Sequence, residues 1–192
     1  QEKFASGGRI PGNFFRRESK LSDYEVLISR LVDRAVRPLF PDDFLNDTQI
    51  IIYLISGDQN NMPDSYAALA ASAALAVSDI PFDGPISEVR VAKIKGNYIV
   101  NPERSQLSEA SLDLIVAATM DNVMMVEGEA DECQESELIE AIKVAHEAIK
   151  VQCQAQLALA QKVGDKALIK REQVKPEEDT ELKTLVTSLA SA

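Results

Sequence analysis

Along residues 22–40 apolar side chains recur at three- and four-residue steps. At about 100° per residue, Tyr24, Ile28, Leu31, Val32, Ala35 and Leu39 fall on one side of a helix. Arg30, Arg34 and Arg37 fall on the other side, within roughly 60° of one another. Ser22-Asp23-Tyr24-Glu25 fits a capping box, and Pro38 and Pro41 close the segment. The pattern predicts a helix with a core face and an arginine face.

Residues 48–56 change the period. Thr-Gln-Ile-Ile-Ile-Tyr-Leu-Ile-Ser is a β-branched run that predicts a buried strand, ending at the polar loop 57–63. Asp64 then caps a second helix to about residue 78. Its side chains are almost all small, which predicts close approach to a neighbouring helix or sheet. Asp83-Gly84-Pro85 is a turn, and residues 86–94 alternate apolar and polar as a half-buried strand does. Lys95-Gly96-Asn97 turns the chain into Tyr98-Ile99-Val100, giving a hairpin. A second hairpin is predicted from residues 112–119 and 123–127 around Asp121-Asn122. From residue 133 to 163, Leu138, Ile142, Ala145, Ile149, Cys153, Leu157 and Ala160 mark a long helix that Gly164-Asp165 ends. Residues 166–178 are charged and contain proline, and residues 180–192 begin another helix. Helices interleaved with hairpins argue an α+β fold, a mixed sheet layered with helices and followed by an all-helical appendage.

Composition bounds this picture. A chain of 192 residues, 45% hydrophobic, supports one core of ordinary size with a small appendage. No apolar run approaches the roughly 18 to 20 residues of a membrane span, and no charged-then-apolar leader is present, so the expectation is a cytoplasmic protein with no membrane partner. Cys133 and Cys153 lie twenty positions apart on predicted helix, a spacing of neither zinc ligands nor a disulfide framework, and read as reduced thiols. The chain opens on Gln1 and runs into a glycine-rich stretch, which predicts a start inside a domain that lacks its N-terminal strands.

Charge is uneven. The net charge is −11, yet residues 1–40 hold eight Lys/Arg against five Asp/Glu, leaving −14 on the remainder. An acidic protein repels a polyanion, so nucleic-acid contact would need a focused basic patch. His146 is the sole histidine and has no cysteine or serine partner in view, which favours a structural or surface role over general-base work. Glu127, Glu129, Asp131 and Glu132 form an acidic run that reads as a solvated loop, and no metal is assigned to it.

The motifs then become specific. Gly7-Gly8-Arg9-Ile10-Pro11-Gly12-Asn13-Phe14-Phe15-Arg16-Arg17-Glu18 is similar to the glycine-rich, double-phenylalanine, double-arginine segment of the polynucleotide phosphorylase family. Ser29-Arg30-Leu31-Val32-Asp33-Arg34 followed by Arg37-Pro38-Leu39-Phe40-Pro41 resembles the family's next helix. Ala71-Ser72-Ala73-Ala74-Leu75, the run Asp79-Ile80-Pro81-Phe82-Asp83-Gly84-Pro85, and Leu112-Asp113-Leu114-Ile115-Val116-Ala117 with Met125-Val126-Glu127 agree in order. Asn13 stands where a third glycine is usual, Ser19 replaces another glycine, and Ala35 replaces a proline; none of these removes an arginine.

The resemblance implies a ribonuclease PH-like fold related to a ribosomal-protein fold. It implies a first core over residues 1–150 and a helical linker region over 151–192. In the family a second core carries the phosphorolytic site with its carboxylates for Mg²⁺ and its phosphate loop, inorganic phosphate being the co-substrate. No catalytic residue is therefore expected here, and no P-loop-type glycine-lysine loop or carboxylate pair with an adjacent lysine is found. The implied partners are single-stranded RNA, two further copies in a homotrimer, and components of an RNA-degradation complex.

Phe14 and Phe15 are then candidate stacking platforms, and Arg16 and Arg17 candidate phosphate clamps, because the family's equivalent loop lines the RNA path. Stacking is worth about 1 to 3 kcal/mol per base, and the arginine fork bridges phosphate oxygens. Without the resemblance the two phenylalanines read as core aromatics. Arg30, Arg34 and Arg37 stay open between an ion-paired face, with Asp23 and Asp33 near, and a role in an RNA channel or anion pocket. Two functions of different class follow: part of a 3′-to-5′ phosphorolytic exoribonuclease and nucleotidyltransferase acting in mRNA turnover, or a free-standing RNA-binding scaffold without catalysis.

Overall fold

The computed structural model describes residues 1–10, 20–172 and 180–190. Helix α1 (Asp23–Val36) begins as its sequence dictates. Ser22 Oγ accepts from the Glu25 N–H at 3.2 Å, and the Glu25 carboxylate reaches back to the Ser22 N–H at 2.7 Å. A single 3₁₀ turn (Arg37–Leu39) follows, with Pro38 inside it. Helix α2 (Asp64–Ala76) is short and alanine-rich, and it buries Ala68, Ala71, Ser72 and Leu75. Small side chains let it lie close to the sheet, where Ser72 Oγ accepts from the Ile86 N–H at 2.9 Å.

Four strands form one antiparallel sheet in the order β2-β1-β3-β4. They are β1 (Ser87–Ile94), β2 (Asn97–Val100), β3 (Ala110–Ala118) and β4 (Val123–Ala130). Lys95 and Gly96 link β1 to β2 with φ of 51° and 83°, the left-handed pair that a two-residue hairpin needs to match strand twist. The period of two along β3 separates two cores. Ile115 and Ala117 face α1 and α2, joining Leu31, Ala35, Leu75 and Met125. Leu112, Leu114, Val116 and Ala118 face the opposite side, under the long helix α3 (Glu135–Val163), against Ala141, Ala145, Ile149 and Cys153. The result is a layered α+β body, with α2 and α1 on one face of the sheet and α3 on the other. A short turn of helix, α4 (Asp165–Leu168), follows Gly164, and α5 (Thr180–Ala190) is helical as its sequence predicts.

Five expectations need correction. Asp64 is the first residue of α2 and not its cap, a position that Pro63 takes. Residues 48–56 are not a buried strand: the segment is extended, but it forms only an isolated parallel bridge between Glu2 and Leu54. Ile50 and Ile52 pack on the core while Ile51, Tyr53 and Ile55 stay 49%, 56% and 88% exposed. Apolar residues on both faces of a run demand cover on both faces, and the described residues supply one. β1 is the opposite case: predicted half-buried from its alternation, it is covered on both faces, because α2 lies over one and α3 over the other. On α3, Leu157 is exposed, and Gln156 takes the inward position and donates to the Ile86 carbonyl at 3.0 Å. The acidic run is not all loop, since Glu127 and Glu129 lie on edge strand β4.

Candidate functional site

Of the residues singled out as RNA contacts, Phe14, Phe15, Arg16 and Arg17 lie outside the described residues. Arg30 and Arg34 on α1 and Arg37 at its C-cap form one exposed row, as the helical period requires. Two of them are already paired. Arg37 grips Asp33 one turn earlier through both Nε (3.1 Å) and Nη2 (2.7 Å), and Arg34 forms an ion pair with Glu127 on β4. Arg30 makes no ion pair among the described residues. All four paired side chains are at least half exposed, so each pair is worth only about 0 to 1 kcal/mol and exchanges readily for a phosphate. The row can therefore offer guanidinium groups to a polyanion without breaking anything the fold depends on.

Beside α1 lies an open groove of about 840 Å³, bounded by α1, α2 and the extended stretch around residues 46–54. Its lining includes Ile28, Val32, Ile50, Ile52 and Ala67, with Asp33 and Arg37 also contributing. Such a lining suits apolar side chains rather than a chain of phosphates.

Where α1 and α2 meet the sheet, a buried ionic network takes over. Asp64, in the first turn of α2, has a fully buried side chain. It accepts from its neighbour Ser65 N–H at 2.8 Å and from Arg90 Nη2 at 2.5 Å. The other Arg90 nitrogen, Nη1, donates to Asp113 on β3 at 2.6 Å. Burial would weaken the guanidinium's hold on its proton, but the Asp64 and Asp113 carboxylates outweigh it and the net direction is upward. The Tyr24 phenol of α1 is coupled to Asp64; burial first, then the Asp64 charge, pushes it up to about 12. One arginine thus ties three elements together, and a tyrosine adds the fourth.

Sequence reasoning missed this network. The available signal was the position of Glu88 and Arg90 on the same face of a strand whose other face carries Val89 and Val91. A charged pair at such positions is a solvated face if the strand has one cover and a buried network if it has two.

No catalytic constellation accompanies these features among the described residues. His146 Nε2 lies 3.0 Å from the Thr119 carbonyl and holds α3 to the β3–β4 turn. Burial raises the Cys153 thiol to about 11, which makes it a poor nucleophile. Among the described residues no group of three or more His, Cys, Asp or Glu side chains is arranged to hold a metal ion. None of their helices is long and apolar enough to cross a membrane.

Comparison with known proteins adds the following. Residues 1–81 match the model of the 3′ exoribonuclease family, domain 1, and residues 84–148 match that family's domain 2. A polyribonucleotide nucleotidyltransferase of Parabacteroides distasonis is 60% identical over 183 residues, covering 95% of this chain and 24% of the relative. Relatives of the same name from Porphyromonas gingivalis and Bacteroides fragilis are 60% and 58% identical over 186 residues, 97% of this chain and 25% and 26% of their own length. The chain spans about a quarter of the curated relatives it matches.

Proposed function

Because the chain belongs to the 3′ exoribonuclease family, we propose that it is the first ribonuclease PH-type core of a polyribonucleotide nucleotidyltransferase, an enzyme that shortens RNA from its 3′ end with inorganic phosphate and releases nucleoside diphosphates. The observation that carries this is the 60% identity, over nearly the whole chain, to proteins of that name. In this reading residues 1–150 are the core and 151–192 a helical linker region. The chemistry sits on a second core of the longer protein.

This segment guides the strand. Phe14 and Phe15 stack bases without reading sequence, and Arg16 and Arg17 hold phosphates. Arg30, Arg34 and Arg37 extend the basic track, with Asp33 and Glu127 as exchangeable partners in the absence of RNA. A focused basic region suits a chain whose net charge is −11, since the general field of such a chain repels RNA. In this reading Mg²⁺ belongs with the carboxylates of the second core. The assembly we propose is a cytoplasmic homotrimer that threads single-stranded RNA and recruits components of an RNA-degradation complex in mRNA turnover.

The test is made in the full-length enzyme. Replacing Arg16 and Arg17 with alanine should weaken RNA binding and processive degradation with the fold intact. Each lost phosphate contact should lower the salt dependence of log K by about 0.7. Unchanged affinity and slope across a salt titration would remove these residues from the RNA path.

A further inference from the structure

The α2-facing side of the sheet holds more acid than base. Glu88 on β1 is fully buried, and neither of its carboxylate oxygens has a hydrogen-bond partner among the described residues. The groups that could compensate it are already committed. Arg90, two residues along the same strand, uses one nitrogen on Asp64 and the other on Asp113. Its Nε, and Asp113 Oδ1, are themselves buried without partners. From α1 comes the Tyr24 phenol, which is coupled to Asp64, and the Arg104 charge acts on Tyr24. The buried residues that β4 and α2 place on this side of the sheet are, apart from Asp64, apolar or small: Met125, Ser65, Ala68, Ala71, Ser72 and Leu75.

Arg90 already serves two carboxylates, and a third at Glu88 would be a buried charge without a partner, beside the like charge of Asp64. Taking such a charge from water costs far more than leaving a neutral acid without a partner. We propose that Glu88 carries its proton in the folded protein and acts as a pH-sensitive latch: neutral, it lets α2 close on β1; ionised, it repels Asp64 and loosens that junction. The proton goes to and comes from solvent when the junction opens, so no other reactant is needed.

Burial, and then the Asp64 charge, push the Glu88 carboxyl from its usual 4.5 up to about 8, against the pull of Arg90. Below about 4.5 open and closed forms both hold the proton and pH has no leverage. Between about 4.5 and 8 the closed form holds a proton that the open form has released, so closure weakens as pH rises. Above about 8 both forms are ionised and the effect levels off.

The test uses hydrogen exchange read by mass spectrometry on the intact protein, following amides of α2 and β1 in wild type and Glu88→Gln. The ratio of wild-type to E88Q opening should climb by up to about tenfold per pH unit between pH 6 and 8 and then flatten. A ratio that does not change with pH overturns the proposal. Glu88→Met, similar in length and without charge, should keep a constant ratio to E88Q across the same pH range. Infrared difference spectroscopy of the wild type decides independently of any variant. The carbonyl band of a protonated carboxylic acid should be present at pH 7 and lost above pH 9, and its absence at pH 7 refutes the latch.

Discussion

Strand β1 and the extended stretch 48–56 are about equal in length, and the more apolar of the two is the less buried. In 48–56, Ile51, Tyr53 and Ile55 project outward and stay half to almost fully exposed. In β1, Glu88 is completely buried and Arg90 almost so. The difference lies in neighbours. β1 has β2 on one edge, β3 on the other, α2 over one face and α3 over the other. The stretch 48–56 has the start of the chain along part of one edge, with Leu54 N–H donating to the Gln1 carbonyl at 3.0 Å, and cover on one face. Burial is thus decided by what the rest of the fold lays over a segment, and the hydrophobicity of the segment only sets what it would gain.

That contrast can be broken from either end. The largest effect is expected from Arg90→Met, which strips the shared cation from two carboxylates in the sheet interior. We expect a loss of about 3 to 5 kcal/mol in chemical denaturation of the 192-residue chain. Next comes Gly128→Ala on β4. A Cβ there would collide with the Asp113 carbonyl and the Leu114 backbone on β3, so the edge strand must move, at about 1 to 3 kcal/mol. Exchange of β4 amides should rise in that variant while α3 amides keep their protection. The smallest effect belongs to Tyr53→Thr, within about 0.5 kcal/mol in the same chain, because its ring packs mainly against water. A large loss from Tyr53→Thr would mean that the outer row of 48–56 is covered after all.

Much of the fold was legible because it is written in local chemistry. Ser22 and Glu25 mark the start of α1, Lys95 and Gly96 make a tight hairpin, and the three- and four-residue recurrence from Leu138 to Ala160 makes α3. What was not legible needed the third dimension. Alternation along β1 assigns side chains to faces but is silent on how many faces are covered, so Glu88 and Arg90 read as solvated. Leu157 and Gln156 are adjacent on a helix, and only the proximity of the Ile86 carbonyl makes the amide the inward choice. The candidate site divides the same way. Asp33 is four residues before Arg37 and its pairing follows from helix geometry, whereas Glu127 reaches Arg34 across 93 residues of chain. Phe14 to Arg17 were picked out by a motif, and they lie outside the described residues.

The central claim is that this core guides RNA while another part of a longer protein performs the phosphorolysis. It is tested most directly by incubating poly(A) with phosphate and Mg²⁺ and measuring released nucleoside diphosphate, for the full-length protein and for the 192-residue chain side by side. The account predicts turnover by the full-length protein and none by the chain. Phosphate-dependent release by the chain alone would contradict it.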